Sequence, residues 1–178
     1  MGYSVSRTMI LAQRLYENGH ITYMRTDSVN LSGLALANAK EVITSNFGEQ
    51  YSEIRKYTTK SSGAQEAHEA IRPTEFGLRP NDYQQSDGDL WKLYALIWRR
   101  AVASQMEQAR FERTTIYLHN KDKSATLRAS GQVLIFDGFI KLYTEGRDDT
   151  DKDEDAEARL PKLNEGEHAD LLEAKSEQ

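Results

Sequence analysis

Two short segments hold residues that packing alone does not require. The first, HITYMRTDSVNLS, runs from His20 to Ser32 and comes directly after Gly19, which closes a helical pattern. An extended chain there puts Tyr23 and Arg25 on one face, because strand side chains alternate with a period of two. A phenol titrates near about 10, so as a nucleophile it needs help losing its proton and a cation to stabilise what it attacks. A guanidinium two residues away supplies that cation and forks onto phosphate oxygens. Asp27 and Ser28 read as cap or turn residues. The second segment, QEAHEAIRPTEFG, runs from Gln65 to Gly77. On a short helix His68 and Arg72 lie four apart and share a face. That pair suits phosphate contact or proton transfer to an oxygen leaving group. Pro73 ends such a helix. Taken singly, each segment also fits a plainer description: a strand tyrosine beside a solvated arginine, and an exposed amphipathic turn.

These segments need elements to hold them, and the pattern supplies helices first. Ser6 to Asn18 reads as a helix with Leu11 and Leu15 four apart and Gly19 just beyond its end. Ser32 reads as the N-cap of a second helix reaching Phe47, with Leu36, Ala39, Ile43 and Phe47 at helical spacing and Gly48 as its stop. The longest helix is predicted from Asp89 to Ser104, with Trp91 and Trp98 as core or partly buried residues rather than base-stacking ones. From Phe111 the pattern changes. FERTTIYLHN alternates and is rich in β-branched and aromatic residues, which predicts a strand. SATLRASGQVLIFDGFIKLYTE predicts further strands, with Gly131 and Asp137–Gly138 as turn or bulge signals, and Gly166 marks a turn before a last strand. A boundary near Ala109 separates a helical domain, 1–108, from a β segment, 109–178, that is short for closing its own sheet.

The chain has 178 residues and a net charge of −5, which argues at first against a polyanionic partner. The distribution lifts that objection, and charge alone does not decide the partner. DDTDKDEDAE, from Asp148 to Glu157, has seven acidic residues and one lysine, so it alone outweighs the net charge. The rest can hold a basic groove. No run approaches the roughly 18 apolar residues of a membrane span, and there is no signal-peptide pattern, so the expectation is a cytoplasmic monomer away from membranes. Cysteine is absent, which excludes disulfides and thiolate metal sites. Asp151, Asp153 and Asp155 offer alternate carboxylates, but Ala156 and Lys162 stand where an EF-hand needs glycine and glutamate. A solvated loop is the reading, and no metal site is assigned to the chain.

ITYMRTDS followed about forty residues later by AHEAIRPT resembles the active-site tyrosine segment and the downstream histidine segment of the type IA DNA topoisomerases, the bacterial branch above all. TMILAQRLYENGHITYMRTDSVNLS, NFG at Gly48, LYALIWRRAVASQM and GQVLIFDGFIKLY extend the resemblance to most of the chain, from about Tyr3 to Glu173. It implies that Tyr23 attacks a single-strand phosphodiester, leaving a 5′-phosphotyrosine link and a free 3′-hydroxyl. Arg25 then positions the scissile phosphate, and His68 stands near the DNA in the cleavage groove. Arg72, Thr26, Asp27 and Glu69 lie in matching segments as supporting DNA-binding residues.

The resemblance further implies relaxation of negative supercoils without ATP, single-stranded DNA as partner, and Mg²⁺ held in a separate N-terminal domain that this sequence does not carry. The fold class expected is α+β: a helical tyrosine-bearing domain followed by a partial antiparallel β segment of the arch, or gate, domain. The chain by itself is then expected to be an inactive piece of a larger enzyme. The alternative is a non-catalytic, winged-helix-type module that binds single-stranded nucleic acid. Convergence of Tyr23, Arg25 and His68 on one concave surface would separate the two.

Overall fold

The structure, a computed structural model, describes residues 2–57, 69–83, 87–143 and 163–170. His68 and the acidic run Asp148 to Glu157 lie outside the described residues. Among the described residues three α-helices, α1 (Val5–Glu17), α2 (Gly33–Phe47) and α3 (Gly88–Ala103), precede two strands, β1 (Arg110–His119) and β2 (Thr126–Phe136). This is the α+β class that the sequence predicts. The chain divides into one compact unit made of Met1–Gln108 with Gly138–Glu145, and a second made of Ala109–Asp137 with Gly146–Gln178.

Caps explain where the helices start and stop. Ser4, not Ser6, caps α1, its hydroxyl accepting from the Arg7 amide at 3.2 Å. Ser32 caps α2 as expected, accepting from the Ala35 amide at 3.3 Å. Asp87 caps α3 by accepting from the Asp89 and Leu90 amides, so this helix begins a residue early, at Gly88. At such a cap a side-chain oxygen satisfies an amide that the helix cannot, worth about 1 kcal/mol. Gly19 at φ 75° and Gly48 at φ 103° turn the chain out of α1 and α2.

The core of the first unit is drawn from all three helices: Leu15, Ala39, Ile43, Leu90, Tyr94 and Val102 are each at most 1% exposed. The aromatic residues of α3 reach beyond that core. Trp98 Nε1 donates to the Phe76 carbonyl at 2.8 Å, Tyr94 Oη to Leu78 at 2.6 Å, and Trp91 Nε1 to Pro80 at 2.7 Å. Buried indoles and phenols need such acceptors. Three consecutive turns of one helix therefore pin the irregular stretch from Phe76 to Pro80.

The strands form an antiparallel pair, with Tyr117 opposite Arg128 and Thr115 opposite Ser130. Two expectations fail here. β2 runs straight through Gly131, and the irregularity lies instead beside Arg110 and Phe111. Among the described residues beyond Asp137 there is no strand: Gly138–Lys141 is a single 3₁₀ turn belonging to the first unit. The cause is local. Gly138 sits at φ 48°, where a Cβ would stand 2.5 Å from the Glu107 oxygen, and the Phe139 amide donates to that same oxygen at 2.9 Å. Gly166, at φ 88°, does lie in a turn, but Glu167 to Asp170 form no strand, and the residues after Asp170 lie outside the described ones.

Candidate active site

The backbone of the segment bearing Tyr23 is hydrogen-bonded to the stretch from Glu69 to Thr74. Ile21 and Pro73 form an antiparallel bridge. The Thr22 amide donates to the Arg72 carbonyl at 2.9 Å, the Thr74 amide to His20 at 3.0 Å, and the Ala70 amide to Asn30 at 2.8 Å. The Thr22 hydroxyl closes the ladder, donating to the Ala70 carbonyl at 2.7 Å and accepting from the Arg72 amide at 2.9 Å. Thr74 Oγ1 reaches the Gly19 carbonyl at 2.6 Å. Described residues from Glu69 to Arg72 are thus not helical, and the shared helical face expected of His68 and Arg72 is overturned on the Arg72 side. Long-range hydrogen bonds from Thr22 and His20 offer these backbone groups better partners than one helical turn before a proline could.

The tyrosine segment is also less extended than alternation requires. Ile21, Met24 and Ser28 are the buried positions, and the chain bends at Thr22, Met24 and Arg25. Two short hydroxyl turns shape the stretch from Thr26 to Asn30. The Ser28 amide donates to Thr26 Oγ1 at 3.0 Å and the Asn30 amide to Ser28 Oγ at 3.2 Å. Tyr23 itself is half-buried. Its ring meets that of Tyr16, on the last turn of α1, edge to face, with centroids 5.3 Å apart at 70°. Such pairs contribute about 0.5–1.5 kcal/mol beyond their burial and fix ring orientation. The nucleophile candidate is thereby held from one side while remaining open to solvent on another. Arg25 and Asp27 are exposed, with no hydrogen bond or ion pair among the described residues.

Glu69 and Arg72 come together, but toward each other. Arg72 Nε donates to Glu69 Oε2 at 3.2 Å, its Nη2 joins the same oxygen at 2.5 Å, and its Nη1 reaches the Pro73 carbonyl at 2.9 Å. The other Glu69 oxygen accepts from the Ser32 amide at 2.6 Å. Burial pushes the Glu69 carboxyl up, yet the hydrogen bonds from Ser32 and Arg72 outweigh it and hold the group below its ordinary value. With an Arg72 side chain only 14% exposed, this is a brace joining the cap of α2 to the Ile21–Pro73 bridge. The organising residues that spacing did not single out are Thr22 and Thr74, and both were visible as threonines inside the two motifs. Among the described residues no three His, Asp or Glu gather to hold a metal ion, and no helix is long and apolar enough to cross a membrane.

Comparison with known proteins gives the family of the chain. A family model described as DNA topoisomerase matches residues 1–178. The chain is 45% identical to DNA topoisomerase 1 of Zymomonas mobilis, covering 100% of this chain and 15% of that protein. It is 46% identical to DNA topoisomerase 1 of Synechocystis, covering 97% of this chain and 19% of the relative. The solved structure of full-length topoisomerase I from Thermotoga maritima superposes with a TM-score of 0.63 at 37% identity, over 90% of this chain and 26% of that one. The chain therefore spans about a sixth to a quarter of the length of these relatives.

Proposed function

We propose, from the premise that the chain belongs to the type IA DNA topoisomerase family, that it carries the nucleophile with which a longer enzyme opens one DNA strand. The observation that carries the reading is Tyr23 itself: half-buried, braced by Tyr16, on a segment stitched to the second motif. The Tyr23 phenol loses its proton and its oxygen attacks the phosphorus. The bond from phosphorus to the 3′-oxygen breaks, that oxygen takes up a proton, and the 5′-phosphate remains on the tyrosine. Arg25, exposed two residues on, neutralises the phosphate oxygens as charge grows on them. His68 handles a proton or contacts the DNA nearby. Thr26 and Asp27 shape the segment beside the phosphate, while Glu69 and Arg72 support it from behind.

The phosphotyrosine diester keeps the energy of the broken bond, so resealing needs no nucleotide. The enzyme passes a second strand through the opening and relaxes negative supercoils. The partner is single-stranded DNA, the setting cytoplasmic, the working form a monomer. In the longer enzyme Mg²⁺ would neutralise and orient the phosphate, held by ligands supplied from outside this chain. The β segment belongs to the arch whose movement opens the gate.

The test uses an enzyme that contains this chain. Tyr23→Phe should abolish the covalent adduct trapped on labelled single-stranded DNA and leave DNA binding within about twofold, since only the nucleophilic oxygen is removed. The isolated chain should neither relax plasmid nor accumulate adduct. Adduct formation by the Phe variant would refute the assignment of the nucleophile.

A further inference from the structure

The hairpin of the second unit has two unlike faces, and one of them carries a single sign of charge. Side chains alternate across a strand, so the register sorts them. Glu112, Thr114, Ile116 and Leu118 share a face with Val133, Gly131, Ala129 and Leu127. That face is mostly apolar and mostly half-covered. The opposite face pairs Arg113 with Gln132, Thr115 with Ser130, Tyr117 with Arg128 and His119 with Thr126. All of these except Gln132 are exposed, and Tyr117 keeps 58% of its surface. Thr115 and Ser130 hydroxyls meet at 3.2 Å, and His119 Nδ1 meets Thr126 Oγ1 at 2.9 Å, so the strip is laterally tied. It holds two arginines, a histidine and no carboxylate.

Solvated sheet faces ordinarily mix both signs, and this chain has 28 acidic residues against 23 basic ones. A strip without a carboxylate, about 20 Å long at 3.4 Å per residue, complements a run of phosphates. Its exposed phenol ring, directly opposite Arg128 in register, offers a platform on which an unpaired base stacks. A duplex keeps its bases from such a ring. The hydroxyl and amide groups of Thr115, Ser130 and Gln132 add donors at backbone height.

From this we infer that the Tyr117–Arg128 face of the hairpin is a second contact surface for single-stranded DNA, separate from the segment around Tyr23. It shares with the proposed function only the identity of the partner. Arg128 takes a phosphate, and Tyr117 stacks on a base.

The experiment is fluorescence anisotropy of the 178-residue chain with an oligothymidylate of about 15 nucleotides, over a salt series. Arg128→Gln should reduce the log–log salt slope by about 0.7, the value of one single-strand phosphate contact. Tyr117→Ser should weaken binding at least about fivefold with the slope unchanged, the low end for one lost stacked base. Arg128→Lys should restore the slope. Circular dichroism melts of each variant exclude unfolding, and the replaced side chains are exposed. Arg25→Gln separates the two readings. If it alone weakens binding, the hairpin face is refuted and the Tyr23 segment stands. If only the hairpin variants weaken it, the face stands and the role of Arg25 in DNA contact fails. Absence of binding by the wild-type chain, or tighter binding to the corresponding duplex, overturns the inference.

Discussion

Thr22→Val tests the idea that one hydroxyl positions the tyrosine segment. Valine keeps the shape of threonine and removes only the hydrogen-bonding group. In the structure that group satisfies the Ala70 carbonyl at 2.7 Å and the Arg72 amide at 2.9 Å. Both backbone groups lie at half-buried residues, so water replaces part of what is lost, and the cost per group falls at about 1 kcal/mol. The sum, about 2 kcal/mol, lowers Tm by roughly 8 °C or more for a unit near 100 residues. It also raises amide exchange at Arg72 by roughly 30-fold if opening is local. Thr22→Ser, which keeps the oxygen, should stay within about 1 kcal/mol of wild type. Thermal unfolding followed by circular dichroism gives the first number and hydrogen exchange the second. A Thr22→Val chain that melts within about 2 °C of wild type, with Arg72 exchange unchanged, would show that the ladder does not depend on this hydroxyl.

Two further outcomes are expected from the same structure. Gly138→Ala forces a Cβ to within 2.5 Å of backbone atoms of Glu107 and Gln108, at a φ that alanine resists. It should cost more than about 2 kcal/mol, read as a fall in the urea midpoint with an unchanged m-value. Glu69 titrates below its ordinary value of 4.5 in the folded chain, so it binds its proton more readily when unfolded. Its contribution is therefore complete above that value and disappears as pH falls through the lowered one. Urea titrations from about pH 7 to about pH 3 should show Glu69→Gln losing part of this acid-dependent slope, and an unaltered slope would remove the brace from the argument.

How much of this was legible depended on how local the signal was. Ser32, Gly19 and Gly48 act on their own neighbours, so α2 and the ends of α1 and α2 could be read from residues a few positions apart. Alternation from Phe111 to His119 likewise named a strand. The two clear failures have distant causes. His68 and Arg72 are spaced as on a helix, but Thr22, fifty residues away, captures the Ala70 and Arg72 backbone and draws the described end of that stretch into a ladder. GFIKLY alternates like a strand, but the carbonyl of Glu107 receives the Phe139 amide and curls the chain into a 3₁₀ turn. The bends at Thr22, Met24 and Arg25, on either side of Tyr23, were not legible from alternation. What holds the Tyr23 ring, the edge of Tyr16, comes from an α1 residue that the helical pattern of Leu11 and Leu15 did not single out.

That same Phe139–Glu107 hydrogen bond has an architectural meaning. The chain departs from the first unit just after Glu107 and re-enters it at Gly138, so the departure and return points lie side by side at 2.9 Å between amide and carbonyl. Everything between them, hairpin included, is topologically a loop whose ends are already closed by the unit it interrupts. Lengthening or shortening such a loop changes closure entropy only logarithmically, by about 0.6 kcal/mol per doubling. The hairpin is thus a modular insertion. Its strands can gain or lose residue pairs, or be exchanged for another arm, while the helices that hold Tyr23 keep their folding instructions intact.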